Sequence, residues 1–285
     1  MKSELLGRVR SVRTESALWD LTTWQTPRGF TLEEYREDGK ISGTEHGWNG
    51  QVSRSTFEYG EAARLVETQI WHGDELLGRQ AHEYDESGRL IRQVGYGRDG
   101  AQVIEERSYA PDGSHVRVQQ LPEGVTDVYC PVDGADYYFS ASGAREIVSV
   151  YDGEDRFSEM RVQDAKGEVL RRFVLTRDEQ GRLVRDELLL EDGTARMTNE
   201  YAYDVVGRRI ATLRRLFGLE EEREQYSYDD RGNRAEVVTD RGHTRFAYRY
   251  DLHGNWIERL TSQKHEPNPD FTPASIERRE IAYYS

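Results

Sequence analysis

Apolar and polar residues alternate with a period of two along much of this chain. In the stretch HTRFAYRY, residues 243–250, the rings of Phe246, Tyr248 and Tyr250 fall on one side, and Arg245 and Arg249 fall on the other. Such a period places successive side chains on opposite faces of an extended strand, and aromatic residues favour strands. The stretches EQYSYDD and NEYAYD repeat the pattern. The alternation therefore predicts β-strands rather than helices.

A short phrase, aromatic-Asp-x-x-Gly-x-apolar, separates these strands at regular intervals. YDESGRL, YDVVGRR, YDDRGNR and YDLHGNW are clear copies, and YGEAARL is a worn copy with Ala63 in the glycine position. Weaker turn signals such as Asn49-Gly50 and Asp192-Gly193 fall near the middle of each period. Glycine and asparagine supply the positive φ of tight turns, and aspartate can bind its own backbone. The predicted structural turns are at Gly88, Gly113, Gly181, Gly207, Gly232 and Gly254.

The number of turns predicts an all-β fold, a long antiparallel meander of YD-type hairpin repeats with about twenty strands. An open twisted sheet rarely exceeds roughly ten strands before it curls or splits, so we expect an open shell or a barrel-like sheet. The prediction is a single domain over residues 1–285, with an irregular segment at about 121–155. Pro122 and Pro131 would interrupt a ladder there. We interpret this segment as a tolerated insertion or two degenerate strands; a functional loop or bend is the alternative.

The phrases YDESGRL, YDVVGRR, YDDRGN and YDLHGNW resemble the YD repeats of the bacterial RHS/YD-repeat family. The opening LLGRVRSVRTE and the closing NWIERL and ERREIAYY are similar to the first and last strands of its small stand-alone members. Large members form a β-sheet ribbon coiled into a hollow shell around a C-terminal toxin. The resemblance implies a coiled-sheet fold here, without a toxin domain, and implies little about activity.

Composition and charge narrow the classes of partner. Of the 285 residues, 36% are hydrophobic and 32% are charged, which is a lean supply of core and favours an extended or hollow object. The 17 tyrosines and five tryptophans are too many for a disordered chain. The net charge of −14 disfavours nucleic acid and anionic membranes, and it suits a basic protein partner.

The single cysteine, Cys130, excludes an intrachain disulfide and a cysteine metal cluster. The first twenty residues hold no apolar stretch long enough for a signal peptide or a membrane span. We therefore expect a soluble cytoplasmic protein, and a secreted form whose leader has been removed is the alternative.

No motif predicts a catalytic residue, a metal site or a cofactor. His243 and His253 lie on successive turns and could approach each other, but without a third ligand they are interpreted as ordinary surface residues. Acidic turns such as YDDRGN do not match a calcium-binding loop. The turn glycines also recur too regularly to form a phosphate cradle.

The aromatic residues are the remaining candidates for ligand binding. They could fill the concave face of a curled sheet, which is the simpler interpretation, or they could form a platform for a sugar or a protein. These candidate ligand-binding residues are Trp48, Trp71, Tyr137, Tyr138 and Trp256.

The leading functional hypothesis is a non-catalytic binding or scaffold protein that uses a large sheet surface for a protein partner. The alternatives are an immunity or accessory protein of a polymorphic toxin system, a glycan-binding module, and a carbohydrate-active or metal-dependent hydrolase. The sequence leaves the oligomeric state open.

Overall fold

A computed structural model describes residues 5–18, 29–97, 100–132, 135–217, 219, 221–265 and 270–284, of which residues 18, 129–132 and 135–139 are described by their backbone alone. Within these residues, one 3-10 turn occurs, at Glu61–Ala63. The strands, in chain order, are β1 Val9–Leu18, β2 Gly29–Tyr35, β3 Ile41–Trp48, β4 Gln51–Tyr59, β5 Leu65–His72, β6 Glu75–Tyr84, β7 Leu90–Gly97, β8 Gly100–Tyr109, β9 His115–Gln120, β10 Asp127–Val132, β11 Ala135–Ser140, β12 Ala144–Tyr151, β13 Phe157–Asp164, β14 Val169–Arg177, β15 Leu183–Leu189, β16 Ala195–Tyr203, β17 Arg209–Leu216, β18 Glu222–Tyr228, β19 Arg234–Thr239, β20 Gly242–Tyr250, β21 Trp256–His265 and β22 Thr272–Tyr283.

The all-β antiparallel meander predicted from the sequence is confirmed. The chain divides into two compact units, of which unit 1 comprises residues 1–81, 95–100 and 226–285, and unit 2 comprises residues 82–94 and 101–225. Within the described residues, no helix is long and apolar enough to cross a bilayer.

Unit 1 contains a run of antiparallel neighbours that includes both ends of the chain. Strands β19, β20, β21 and β22 pair in sequence, and β22 then pairs with β1. From β1 the order continues through β2, β3, β4, β5 and β6. The first strand therefore lies between the second strand and the last one.

Unit 2 contains a second meander, with one excursion. Strands β8 and β9 pair, β9 then pairs directly with β12, and β12 to β18 follow in sequence. Strands β10 and β11 pair only with each other in the described part of the chain and form a separate hairpin. The irregular segment of the sequence thus contains a hairpin that leaves the ladder and returns to it.

The hydrophobic core of unit 2 forms between this excursion and one face of its sheet. Phe173 and Val162 are almost completely buried, and Val128 of β10 packs in the same cluster at 2% exposure. Ala141 and Ala144, which flank the end of the excursion, join it. Val128 at the start of the excursion therefore packs on apolar side chains of the sheet, which is the packing that a sheet face requires.

In the described part of the chain, seven turns are each held by the aspartate at their first position, whereas Ala110 takes that position in the turn of Gly113. At Asp85, the N–H of Gly88 donates to the aspartate carbonyl at 2.8 Å, and the aspartate N–H donates to the carbonyl of Arg89 at 2.9 Å. The carboxylate also accepts the N–H of Arg89 at 2.8 Å, as expected for an aspartate that closes a local turn. The same carboxylate bond, at 2.8 or 2.9 Å, occurs at Asp152, Asp164, Asp178, Asp204, Asp229 and Asp251.

The tyrosine of a repeat caps the turn of the repeat before it. The Tyr109 hydroxyl donates to the carbonyl of Leu90 at 3.0 Å, and Leu90 is the fifth residue after Asp85. The spacing is the same where Tyr203 donates to Leu183 at 2.6 Å. In the copy Tyr203-Asp204 the aspartate therefore closes its own turn while the tyrosine beside it binds the previous one, which gives the two residues a reason to recur together.

Positive φ marks the turns that the sequence indicates. The six predicted glycines have φ between 77° and 90°, where residues with a Cβ are disfavoured. Ala63 has φ 53° in the worn copy, and Ala62 before it has φ 54°. The alanine thus adopts a left-handed conformation at the position that glycine occupies elsewhere, at a cost in backbone strain.

Candidate functional site

One face of the unit 1 sheet collects aromatic, charged and hydroxyl side chains, and we call it the arginine–tryptophan face. Two neighbouring rows of cross-strand partners define it. The first row is Tyr248, Arg259, Glu277, Ser16, Gly29 and Trp48. The second row is Arg279, Thr14, Thr31 and His46. Alternate residues along each strand share a face, so both rows lie on the same side of the sheet.

Trp48 is the most exposed aromatic residue of this face, at 57%. Its ring lies over Gly29, where an added Cβ would come within 2.6 Å of Trp48 Cε3. The reciprocal arrangement occurs on the opposite face, where a Cβ on Gly47 would come within 2.1 Å of the Phe30 ring. Glycine at position 29 therefore lets Trp48 lie flat across the neighbouring strand.

A depression of about 510 Å³ opens beside Trp48. Its walls carry the hydroxyls of Thr14, Ser16 and Thr31, together with His46 and Glu277. An aromatic ring above several hydrogen-bonding groups can hold a ligand that has both apolar and polar edges. The depression thus adds directional polar contacts to the exposed ring.

Arg259 and Glu277 form the charged pair at the centre of the first row. Arg259 Nη2 lies 2.5 Å from Glu277 Oε1, and both side chains are about two-thirds buried or more. The Arg259 guanidinium also lies 5.6 Å from the Trp256 ring. Burial raises the pKa of the Tyr248 hydroxyl on the same row, and the neighbouring charge of Arg259 opposes that rise.

Arg279 stacks on Trp256. The guanidinium carbon lies 3.4 Å from the ring centroid, and Trp256 is 7% exposed. Burial lowers the pKa of Arg279, while the carboxylates of Glu277 and Glu33 act in the opposite direction. The group stays protonated near neutral pH because an arginine in a protein keeps its charge.

The five aromatic candidates do not form one platform. Trp48 and Trp256 belong to the arginine–tryptophan face. Trp71 is the cross-strand partner of Arg54, which lies on the other face and stacks on it at 5.1 Å. Tyr137 and Tyr138 lie on β11 in unit 2, and their side chains are outside the described residues, as is the side chain of Cys130.

His243 and His253, which the sequence places on successive turns, have separate aromatic neighbours. His243 lies edge-on to Phe271 at 4.9 Å, and His253 lies over Tyr283 at 4.1 Å. Across the described part of the chain, no group of three histidine, cysteine or acidic residues has the geometry to hold a metal ion.

Unit 2 holds a buried polar cluster that the sequence analysis did not identify. Asp186 has no exposed surface; Asn199 Nδ2 donates to its carboxylate at 2.8 Å, and the Tyr201 hydroxyl donates to the other oxygen. Arg214 Nε donates to Asn199 Oδ1 at 3.2 Å. Hydrogen bonds to charged groups offset burial, so the cluster connects three strands beside the core.

A second buried polar group of unit 2 surrounds His115. The ring stacks on Tyr151 at 4.5 Å and lies 4.8 Å from Tyr109. Its Nε2 atom is 3.6 Å from a carboxylate oxygen of Asp155. Burial lowers the pKa of His115, and Asp155 opposes this. Aromatic packing on both sides identifies His115 as part of an aromatic ladder across β8, β9 and β12.

Comparison with known proteins adds no named relative. No protein-family model and no curated protein matches the chain. Among solved structures, a porin-like protein from Bacteroides uniformis ATCC 8492 has 11% identity and a TM-score of 0.43, with 98% of each chain covered. The complex TcdB2-TccC3-Cdc42 has 12% identity and a TM-score of 0.24 over 86% of this chain, which spans 18% of that one. Likenesses this distant assign neither fold family nor function.

Proposed function

We propose that this chain is a non-catalytic binding protein that takes a protein partner on the arginine–tryptophan face. The observation that carries the proposal is the exposed ring of Trp48, held flat over Gly29 in one row with Tyr248 and Arg259. Tryptophan, tyrosine and arginine are the residues that dominate binding energy at protein interfaces.

The packing of this face supports such a role. Trp48 is positioned by its contact with Gly29 before any ligand binds, and Arg279 is positioned by Trp256. Pre-positioned side chains lose little conformational entropy on association, so more of the contact energy appears as affinity. The net charge of −14 favours a partner of opposite net charge, because long-range steering follows the summed field. An immunity or accessory protein of a toxin system would be a particular form of this function.

Glycan binding is the second candidate, and the hydroxyl-lined depression beside Trp48 favours it. A sugar ring has an apolar face that stacks on an indole and an edge of hydroxyls that bind polar side chains. Both candidate functions use Trp48 as a contact. They differ in whether the depression beside it holds a sugar or part of a protein.

The proposal of membership in the RHS/YD-repeat family rests on the recurring phrase and on the turn that it forms. The interlocked aspartate and tyrosine give the phrase a structural reason to repeat. That reason supports the resemblance without assigning an activity.

The test compares wild-type protein with Trp48→Ala, and with Leu252→Ala as a control at a fully exposed turn of the same unit. Each immobilised protein is incubated with host lysate, retained proteins are quantified, and the affinity of the best candidate is then measured after purification. We expect Trp48→Ala to weaken that affinity at least about tenfold, the scale of an interface hot spot. Equal affinity for all three proteins would exclude Trp48 as the anchor. Binding to a glycan array that Trp48→Ala abolishes, with no protein partner, would support the second candidate.

A further inference from the structure

Arg279 differs from the other arginines whose Nε atom is buried. In the described part of the chain, Nε is buried without a hydrogen-bond partner in five arginines: Arg117, Arg161, Arg177, Arg259 and Arg279. Arg117 and Arg161 have glutamate oxygens within 3.3 Å, Arg177 donates to two backbone carbonyls, and Arg259 pairs with Glu277. Among the described residues, Arg279 has neither an ion pair nor a hydrogen bond through its guanidinium.

A stacked guanidinium still needs partners along its edge. Trp256 covers one face of the Arg279 group at 3.4 Å, and the attraction of a cation to an aromatic face is modest. The five N–H donors lie in the plane of the group and point away from such a contact. In the described part of the chain, Nε is the nitrogen of Arg279 that is buried without an acceptor, and burying a donor in this way is costly. The terminal nitrogens are not buried, so the site favours an oxygen ligand that binds in that plane.

The neighbouring carboxylates are engaged elsewhere. Glu277 pairs with Arg259 at 2.5 Å, and Glu33 accepts the Tyr35 hydroxyl at 2.8 Å. The direct cross-strand partner of Arg279 is Thr14, which lines the depression beside Trp48. Arg279 therefore lies next to the depression with its charge unmatched by an ion pair.

We propose that Arg279 is the carboxylate-binding subsite of the arginine–tryptophan face. Its planar fork matches the two oxygens of a carboxylate, which it binds through parallel hydrogen bonds. The carboxylate comes from an Asp or Glu side chain or from a free C-terminus of the ligand. This assignment to a peptide rests on the proposed function, whereas the affinity for a carboxylate does not.

The spacing of the sheet sets the length of ligand that reaches both anchors. Arg279 on β22 and Trp48 on β3 are separated by β1 and β2, and Trp48 lies two residues along β3 from His46, which ends the row of Arg279. Three inter-strand spacings and this offset place the two residues roughly 16 Å apart. An extended peptide of about five residues covers that distance. The expected ligand is a peptide with a carboxylate at one end of such a segment and an apolar side chain at the other.

The first experiment uses acetate as the probe, at fixed ionic strength with chloride replaced. The Nε–Hε resonance of Arg279 is assigned by its absence in Arg279→Gln and followed in nitrogen–proton spectra during the titration. We expect a saturable shift of this resonance. Arg13, which stacks on Phe30 at 4.0 Å on the opposite face and pairs with Glu15, is the matched control and should not shift. No shift at Arg279, or equal shifts at Arg279 and Arg13, would overturn the proposal.

The second experiment separates the sources of the carboxylate with peptides of about five residues that carry an apolar residue at one end. In the first pair, one peptide has a free C-terminus and the other has an amidated C-terminus. In the second pair, both C-termini are capped, and the residue at that end is Glu in one peptide and Gln in the other. We expect amidation or the Gln exchange to weaken binding about tenfold, as for loss of one charged hydrogen-bonding partner. The more sensitive pair identifies the source. Equal affinities within both pairs would overturn the peptide carboxylate assignment.

Two variants test the carboxylate site separately from the folding of the protein and from the proposed function. Arg279→Lys retains the charge but loses the fork. Acetate binding to this variant and to the wild type is compared through the backbone amides of β22 and β1, and we expect weaker binding with an otherwise unchanged backbone spectrum. Acetate binding that survives in Trp48→Ala while partner binding is lost would separate the two claims. Unchanged acetate affinity in Arg279→Lys would contradict recognition by the planar group.

Discussion

Asn255 binds the backbone of Leu6 with both atoms of its side-chain amide. Its Nδ2 donates to the Leu6 carbonyl at 2.7 Å, and its Oδ1 accepts the Leu6 N–H at 2.7 Å. Asn255 Nδ2 also donates to the Tyr283 hydroxyl at 2.8 Å, and Tyr283 in turn donates to Asp251. One turn of the final YD copy thereby holds the segment that precedes β1.

Replacing this asparagine should destabilise unit 1. Asn255→Ala leaves the Leu6 N–H and carbonyl without these partners, and we expect a loss of about 2 kcal/mol in the free energy of unfolding. Urea denaturation measures the change. Asn233→Ala is the control, because Asn233 occupies the same turn position and binds Tyr250 without an equivalent of Leu6. Equal losses in the two variants would show that the Leu6 contact adds nothing.

The worn turn at Ala63 should be improvable. Ala63→Gly removes the strain of φ 53°, and we expect the protein to become more stable by about 0.5–1 kcal/mol. The reverse exchange, Gly88→Ala at φ 81°, should destabilise it by about 1 kcal/mol or more. Thermal and urea midpoints of both variants test the pair. A lower midpoint for Ala63→Gly would mean that the alanine side chain contributes more than its strain costs.

The aspartate turns should make stability sensitive to acid. Hydrogen bonds from the Arg182 side chain and backbone lower the pKa of Asp178, and bonds from the Arg89 backbone and side chain lower that of Asp85. A pKa lowered in the folded state stabilises the protein above the unfolded value of about 3.9, and the gain disappears as pH falls through the folded value. We expect urea midpoints to change little from pH 7 to pH 5 and to fall below about pH 4.

Asparagine variants test that assignment. A double variant, Asp85→Asn with Asp178→Asn, keeps an acceptor in each turn but removes the titrating groups. Its urea midpoint should fall less steeply with acid than that of the wild type. A slope identical to that of the wild type would place the acid sensitivity in other carboxylates.

The buried carboxylate of unit 2 should depend on its hydroxyl donor. Tyr201→Phe removes the donor to Asp186, whose side chain is completely buried, and we expect a loss of about 1–3 kcal/mol in the free energy of unfolding. Tyr203→Phe is the control, since its hydroxyl binds the Leu183 carbonyl at 2.6 Å at a half-buried position. A smaller effect for Tyr201→Phe than for the control would contradict the importance of the cluster.

The strands and turns could be predicted because their chemistry is local. Each Asp bonds to residues within its own turn, and each Gly supplies the φ of that turn. Ala63 was recognisable from its place in the period, although its strain was not. The hairpin excursion was visible as broken spacing and two prolines, but the packing of Val128 against the sheet depends on distant strands.

The candidate site could be predicted only in part. Trp48 and Trp71 fall on opposite faces because the register across three strands decides the face: Trp71 is opposite Arg54, and Arg54 is opposite Glu45 rather than Trp48. Nothing in the stretch ERREIAYY marks Arg279 as a binding residue. What distinguishes it is that its guanidinium has no ionic or hydrogen-bonding partner among the described residues, and a sequence does not show this. The burial of Asp186 could have been predicted, because in LVRDELLL it occupies a position where the period of two places an apolar side chain.

The pairing of β1 with β22 has a consequence for the order of assembly. Unit 2 is almost continuous in sequence, so its ladder grows by joining neighbours as the chain emerges from the ribosome. Unit 1 needs strands from both halves of the chain. Its pairing of β1 with β22 joins residues more than 250 positions apart, and this step is slow because closing so long a loop costs much conformational entropy. We therefore expect nascent chains to carry a structured middle and a first strand that is paired with β2 on one edge and unpaired on the other until synthesis is nearly complete.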